Sequence, residues 1–224
     1  MQKDLDESVI SADVKRIGEV LSGHHGAMVE LLMELASLES PSLEPDTQRA
    51  VQDVLRRSFE ELGFESKLFK GTKTGGHLHV WPAGSAEGEG PFQLLVGHTD
   101  TVWPLGTLET MPVEHDEGED VLRGPGVFDM KGGLVQMVFA LRALSELDLV
   151  PSVVPTVFLN SDEEIGSPES QPHIERLAQG SSRVLVLEPA LGSEGWIKTT
   201  RRGVGQFEIR VVGRAAHSGL APGE

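Results

Sequence analysis

The apolar residues of the first quarter of the chain recur at helical spacing. Residues 5–22 and 24–38 carry leucine, valine, isoleucine or methionine every three or four positions, which predicts two amphipathic helices. The segment "SPSLEPD" (Ser40–Asp46) then breaks the pattern with two prolines. A third helix is predicted from Pro45 to a stop at Gly63, because proline favours the first helical turn and glycine the position after the last.

Strand patterns alternate with helix patterns over the next part of the chain. Five segments are typical of strands: "FESKLF", "HLHVWP", "FQLLVGH", "VVPTVFLN" and "SRVLVLEP". The last three are continuous apolar runs, which predicts buried strands. Helices are predicted over residues 131–147 and 168–179. This alternation indicates an α/β fold, with a sheet that carries helices on both faces.

Two stretches depart from that alternation. Residues 101–133 form a long and mostly irregular segment, and connections of this length are usually functional or disordered. After Ala190 the sequence shows alternating strand patterns without a long helix, which indicates the start of a new structural unit.

Composition and charge narrow the classes of partner and site. The 224 residues are 38% hydrophobic and 24% charged, as in ordinary soluble globular proteins. A net charge of −16 disfavours nucleic acid and anionic membranes as partners. The chain has no cysteine and no tyrosine, so any metal must be held by His, Asp and Glu. The sequence lacks an apolar signal segment and a membrane-length apolar run, which predicts a cytoplasmic location.

Acidic and histidine residues follow the predicted buried strands. They are His98 and Asp100 after the first, Asp162, Glu163 and Glu164 after the second, and Glu188 at the end of the third, with Asp129 in the long segment "GPGVFDMKGG". In open α/β sheets, functional groups gather beyond the carboxyl ends of the strands. We therefore expect these side chains to converge at one edge of one sheet.

Each of these residues also has an ordinary structural interpretation. His98 alone would be structural, Asp129 alone would cap the following helix, and the adjacent Glu163 and Glu164 would be exposed charges. The expected convergence of these side chains at one sheet edge favours a metal site, because clustered carboxylates repel one another unless a cation lies among them. One histidine with carboxylates and no cysteine suits Zn²⁺ or a similar divalent ion.

The spacing of these residues indicates a division of roles. In an extended segment His98 and Asp100 point the same way, so Asp100 can orient the imidazole. In a loop, one of Glu163 and Glu164 can bind metal while the other faces the reacting water as general base, as in metal-assisted hydrolysis. The sequence has no nucleotide-binding glycine loop and no Gly-x-Ser-x-Gly nucleophile elbow, so those classes of enzyme are disfavoured.

Five ordered motifs resemble those of the co-catalytic zinc exopeptidases, from about residue 25 onward. They are "GHTDTVWP", "GPGVFDMKGG", "NSDEEIGS", "LEPA" and "GRAAHSG". That family includes glutamate carboxypeptidase, succinyl-diaminopimelate desuccinylase, aminoacylases and dipeptidases, and "VFDMKGG" with "TTRRGVGQFEI" resembles the glutamate carboxypeptidase branch most. The resemblance implies a three-layer catalytic domain over residues 1–200, present in part. The start of a small α+β lid and dimerisation domain would follow over residues 201–224.

The resemblance also implies specific residue roles. His98 and Glu188 would hold one Zn²⁺, Glu164 would bind a second, and Asp129 would bridge the two ions, with Co²⁺ or Mn²⁺ as alternatives. Asp100 would orient His98, and Glu163 would be the general base.

A further histidine is assigned through the resemblance alone. His217, in the lid, would reach the active site of a partner subunit in a homodimer and stabilise the oxyanion. Without the resemblance, a histidine at this position is more typical of a surface turn.

The expected activity is hydrolysis of a peptide or amide bond beside a free carboxylate, in a small peptide or N-acyl amino acid. An N-acyl amino acid deacylase or a dipeptidase is the alternative. The family places its last metal ligand, a histidine, well after the lid, whereas this sequence ends at Glu224. We therefore expect the chain to be the N-terminal part of such an enzyme, or a truncated product, and to be inactive by itself.

Overall fold

The computed structural model describes residues 7–85, 91–192 and 194–200, together with residues 202, 203, 205, 207–210 and 212. The helices are α1 (Glu7–Gly23), α2 (His25–Ala36), α3 (Gln48–Glu60), α4 (Gly132–Glu146) and α5 (Gln171–Gly180). The strands are β1 (Phe64–Phe69), β2 (His77–Pro82), β3 (Phe92–His98), β4 (Glu114–Asp116), β5 (Val121–Arg123), β6 (Val154–Asn160) and β7 (Arg183–Val186).

Five of these strands form one mixed sheet in the order β1-β2-β6-β3-β7. Strands β6, β3 and β7 are parallel, whereas β2 runs antiparallel to both β1 and β6. In the register of β3 and β6, His98 lies opposite Asn160, so these two strands end side by side. The carboxyl ends of the parallel strands therefore form one edge, where the following loops meet.

Apolar side chains cover both faces of this sheet and create three layers. On one face, Leu95 of β3 and Val157 of β6 belong to a buried cluster that includes residues of α2, α3 and α4. On the other face, Leu94 and Val96 pack in a second cluster with Leu177 of α5. Neighbouring residues of β3 thus serve opposite faces, because side chains alternate along a strand. The expected α/β class, a mixed sheet with helices on both faces, is confirmed.

Two predictions about secondary structure need correction. The segment 101–133 is less irregular than predicted, because β4 and β5 pair as a short antiparallel hairpin within it. The third predicted buried strand, β7, is exposed along its length. Among the described residues it lies at the edge of the sheet, with β3 as its neighbour.

The chain divides into two compact units, residues Met1–Pro189 and Ala190–Glu224. Among the described residues of the second unit, the backbone pairing is a single bridge between Leu191 and Trp196 rather than the predicted strands. An extended segment becomes a strand only where a neighbour supplies hydrogen-bond partners. The boundary predicted at residue 200 stays a prediction. Within the described residues, no helix has the length and apolar character needed to cross a membrane.

Candidate metal centre

The loops that follow β3, β6 and β7 bring the predicted site residues together at one edge of the sheet. His98 is the last residue of β3, and its side chain is buried. Its Nε2 lies 3.1 Å from Asp129 Oδ1 and 3.4 Å from Glu188 Oε1. These three side chains, which are 31 to 90 positions apart in the sequence, therefore share one small volume.

The imidazole of His98 is held from its other side. Its Nδ1 donates a hydrogen bond to the backbone carbonyl oxygen of Asp100, 2.9 Å away, and lies 3.4 Å from the Asp100 carboxylate. The backbone N–H of His98 is directed at Met130 Sδ, 3.1 Å away. Because Nδ1 is engaged by Asp100, Nε2 is the ring nitrogen presented to Asp129 and Glu188.

Asp129 does not cap a helix in this structure. It lies in the turn Val127–Lys131, and its backbone is extended there (φ −119°, ψ 102°), whereas α4 begins at Gly132. Its side chain is about half exposed and reaches back to His98. The capping interpretation of Asp129 is therefore wrong, and its carboxylate faces the other site residues.

Glu163 and Glu164 lie in a short turn, Glu163–Ile165, immediately after β6. Ligand atoms of His98, Glu163 and Glu188 lie within 4.8 Å of one another, and so do those of His98, Asp129 and Glu164. The turn thus lets two adjacent glutamates approach the same centre, which a regular strand would not allow. His217, the remaining predicted site residue, lies outside the described residues.

Asp100 connects the histidine to the glutamate turn. Its buried carboxylate accepts hydrogen bonds from the Ser42 hydroxyl (2.6 Å) and from the backbone N–H groups of Glu163 (3.3 Å) and Glu164 (3.2 Å). The sequence indicated a contact between Asp100 and His98 but gave no reason to single out Ser42. The signal is absent because Ser42 is 58 positions away in a proline-containing loop.

A second buried aspartate, Asp162, shapes the glutamate turn from its other end. Its Oδ2 accepts the backbone N–H groups of Glu169 (2.8 Å) and Ser170 (3.0 Å), and its Oδ1 accepts from Asn160 Nδ2 (3.2 Å). These bonds tie the end of β6 to the start of α5 around Glu163. The sequence assigned no role to Asp162, although its place beside Glu163 was visible.

The local charges favour a bound cation. Burial by itself would lower the pKa of His98, but hydrogen bonds and charge attraction from Asp100 and Glu188 outweigh it and raise the pKa to about 11. Burial raises the pKa of Glu163 and of Glu164, and neighbouring carboxylates add to the effect. Burial also acts to raise the pKa of Asp100, but the bonds from His98 and Ser42 hold it below its ordinary value. The centre thus favours the protonated, positively charged form of His98 and disfavours the ionised forms of Glu163 and Glu164.

The donor atoms also fit a divalent metal by geometry and by type. Two ligand atoms each about 2.0–2.2 Å from a tetrahedral zinc ion lie about 3.4 Å apart. The separations of 3.1 Å and 3.4 Å from His98 Nε2 to its two carboxylate neighbours are close to this value. One imidazole nitrogen with carboxylate oxygens is a donor set that Zn²⁺, Co²⁺ and Mn²⁺ accept. The residues present therefore fit such an ion.

Comparison with known proteins identifies the family of this chain. The model of Peptidase family M20/M25/M40 matches residues 94–216, which are more than half of the chain. The chain belongs to peptidase family M20/M25/M40. The resemblance to the zinc exopeptidases is thereby confirmed, and the match to this peptidase family contains His98, Asp129, Glu164 and Glu188.

Curated relatives of this chain include two kinds of hydrolase. Carboxypeptidase G2 of Pseudomonas sp. (strain RS-16) is 29% identical over 201 residues, covering 88% of this chain and 46% of that protein. Succinyl-diaminopimelate desuccinylase of Leptothrix cholodnii is 31% identical over 205 residues, covering 86% of this chain and 52% of that protein. The chain spans about half the length of the curated relatives it matches.

Solved structures share the fold at low sequence identity. Human carnosine dipeptidase 1 superimposes with a TM-score of 0.64 at 17% identity, covering 79% of this chain and 41% of that one. The M20 family metallo-carboxypeptidase Sso-CP2 from Sulfolobus solfataricus gives 0.56 at 18% identity, covering 75% and 38%. The fold of this M20/M25/M40 family member is therefore that of metallopeptidase catalytic domains.

Proposed function

We propose that this chain is part of a metal-dependent hydrolase that cleaves a peptide or amide bond beside a free carboxylate. The observation that carries the proposal is the convergence of His98, Asp129 and Glu188 with Glu163 and Glu164. Four separate chain segments supply these side chains, and a structural role requires no such gathering of like charges. Family membership and the carboxypeptidase G2 and desuccinylase relatives support a hydrolase.

In the proposed centre, His98 and Glu188 would hold one Zn²⁺, Glu164 would contribute to a second, and Asp129 would be a ligand that the two ions share. Bound zinc supplies Lewis acidity, which polarises the substrate carbonyl and makes a water acidic enough to react near neutral pH. Asp100 keeps the His98 imidazole turned so that Nε2 faces the centre. These assignments divide four ligands over two ions, as the resemblance to the zinc exopeptidases implies.

The proton of the attacking water goes to Glu163 in this proposal. Its carboxylate lies with His98 and Glu188 at the centre, and its backbone N–H is anchored on Asp100. After carbonyl attack, the protonated Glu163 returns the proton to the leaving amine, as a general acid. His217 in a lid, contributed across a homodimer, remains the predicted oxyanion donor.

A glutamate carboxypeptidase activity is the first candidate, because carboxypeptidase G2 aligns over 88% of the chain. An N-acyl amino acid deacylase is the second candidate, supported by the desuccinylase relative. A dipeptidase is a third activity of the same chemical class. A panel of glutamyl peptides, dipeptides and N-acyl amino acids separates the three by the product released.

The test combines metal analysis with two substitutions. We expect two zinc ions per chain in the active protein and fewer after Asp129→Ala. Glu163→Gln is expected to retain zinc and to lose hydrolysis by at least about 100-fold, which is the usual contribution of a positioned general base. Glu146→Gln, on α4, is the matched control, because Glu146 contacts His24 rather than the centre.

Two results would contradict the proposal. Full activity and two zinc ions in Asp129→Ala would exclude the shared-ligand assignment. Unchanged hydrolysis in Glu163→Gln would exclude Glu163 as the base. Assaying the 224-residue chain by itself checks the separate expectation that it is inactive alone.

A further inference from the structure

A pocket of about 370 Å³ opens beside the candidate metal centre. It shares two residues with that centre, because Glu164 lines it and so does Ser42, whose hydroxyl donates to Asp100. The loops after α2 and after β3 form its other walls, through residues 41–44 and residues 101, 102, 104 and 105. A volume of this size is typical of small-molecule sites. A substrate whose scissile bond lies at the centre therefore has room to place one of its two flanking groups here.

The pocket surface is largely apolar. Four large apolar side chains line it and remain partly or largely exposed: Leu43 (77%), Val102 (65%), Leu105 (51%) and Ile165 (42%). Single exposed apolar side chains are ordinary, but several that surround one concavity mark a binding surface. Because Ile165 directly follows Glu164, this apolar wall begins at the centre itself.

The charges of the pocket restrict what it can bind. Within the described part of the chain, its lining contains no lysine, arginine or histidine, and its ionisable members are Glu44 and Glu164. A carboxylate placed here would lose its hydration without gaining a cationic partner and would face two acids. The free carboxylate of the substrate must therefore lie on the other side of the scissile bond.

We propose that this pocket binds an uncharged, apolar acyl group or side chain of the substrate, on the side of the scissile bond opposite the free carboxylate. This inference rests on the proposed function. It deepens that function by naming the substrate class as N-acyl amino acids or peptides with an apolar group on the acyl side. Acyl groups that end in a carboxylate, such as succinyl, are disfavoured by the same surface.

Three ligands of matched length test the inference: N-butyryl-, N-succinyl- and N-(4-aminobutyryl)-glutamate. Each has a four-carbon acyl chain, in which the fourth carbon is a methyl group, a carboxylate carbon or a methylene group that carries an ammonium. Calorimetric titration into the zinc-loaded Glu163→Gln protein gives a Kd for each. We expect the butyryl compound to bind at least about 10-fold more tightly than either charged one, the scale on which apolar pockets discriminate.

A substitution in the pocket provides the second half of the test. Leu43→Lys places a cation on an exposed position of the lining and should lower the butyryl-to-succinyl preference by about 10-fold. Val150→Lys is the matched control, because Val150 is 92% exposed and is not among the lining residues. The preference should be unchanged in that variant.

The outcomes separate this inference from the proposed function. Equal Kd values, a preference for either charged ligand, no binding of any ligand, or a preference insensitive to Leu43→Lys would each overturn the pocket assignment. Hydrolysis by the full-length wild-type enzyme is measured in parallel, because the 224-residue chain is expected to be inactive by itself. Its absence with all three compounds would count against the proposed function, while the Kd values would still decide the pocket.

Discussion

Replacing Asp100 by asparagine tests whether its carboxylate holds the loops of the centre together. The change keeps the size of the side chain but replaces one acceptor oxygen by an NH₂ group. In the native site, Oδ2 accepts from Ser42 and from the Glu164 backbone, and Oδ1 accepts from the Glu163 backbone. Either orientation of the new amide therefore sets its NH₂ group against a backbone N–H.

The cost follows from the burial of Asp100, which is 1% exposed. One backbone N–H of the glutamate turn loses its acceptor where water cannot replace it, and the remaining bonds lose the contribution of a charged acceptor. An unsatisfied buried donor costs about 1–3 kcal/mol. The Ser42 hydroxyl can turn to accept instead, so we count one lost donor. We expect the free energy of unfolding to fall by about 2 kcal/mol, or the Tm by roughly 4–8 °C.

Urea unfolding measures the free energy of unfolding. A chelator is included so that metal binding does not contribute to the measured difference. Asp116→Asn is the matched control. Asp116 Oδ1 also accepts two backbone N–H groups, from Gly118 and Glu119, but this residue lies exposed on the hairpin. Water can replace the lost acceptor there, so the control should change the unfolding free energy by less than about 0.5 kcal/mol.

The reasoning is refuted if Asp100→Asn and Asp116→Asn have equal effects. Ser42→Ala gives an intermediate check, because it removes one donor and leaves the carboxylate its two backbone partners. A loss of about 1 kcal/mol is expected for Ser42→Ala.

Three further predictions concern positions around the site. Gly133→Ala should destabilise the fold by more than about 2 kcal/mol, because its Cβ would lie 1.9 Å from the backbone oxygen of Leu187, the residue before a predicted zinc ligand. The control Gly18→Ala, where no atom lies within 4 Å, should stabilise its helix by up to about 1 kcal/mol, and equal effects in urea would contradict the packing argument. Hydrogen bonds from Thr72 and Thr74 lower the pKa of Glu169 from 4.5 to about 2. The stability they provide is present above pH 4.5 and lost as the pH falls toward 2, so Glu169→Gln should flatten this part of the acid-unfolding curve; parallel curves would refute the assignment. Burial lowers the pKa of His77, so the unfolded chain binds a proton that the folded chain resists, and stability should fall as the pH drops below about 6.5. His77→Phe keeps a ring in place and should remove that slope in pH-dependent urea unfolding; an unchanged slope would assign it to other groups.

The sequence alone predicted the elements and the class of fold because both depend on local periodicity. Continuous apolar runs identified β3 and β6 as buried strands, and helical spacing identified α4. The exposure of β7 could not be predicted in this way. An apolar run has the same appearance whether its strand has one neighbour or two, and strand order is a property of the whole sheet.

The sequence also indicated which residues would converge, because parallel strands end at a common edge. His98, Glu163, Glu164 and Glu188 each lie at or just after the end of one of these strands. Asp129 was placed with them by its motif, and only the structure distinguishes its extended turn from a helix cap.

The tertiary structure alone decided how the centre is held. The hydrogen bonds from Ser42 and the glutamate turn to Asp100 join segments about 60 positions apart in the sequence, and no local pattern records such pairs. The apolar pocket, whose lining among the described residues has no cationic side chain, likewise arises where two distant loops meet beside Glu164. Sequence periodicity determines which side chains lie at the end of a strand. The packing of loops at that edge of the sheet determines which groups those side chains contact and which charges surround them.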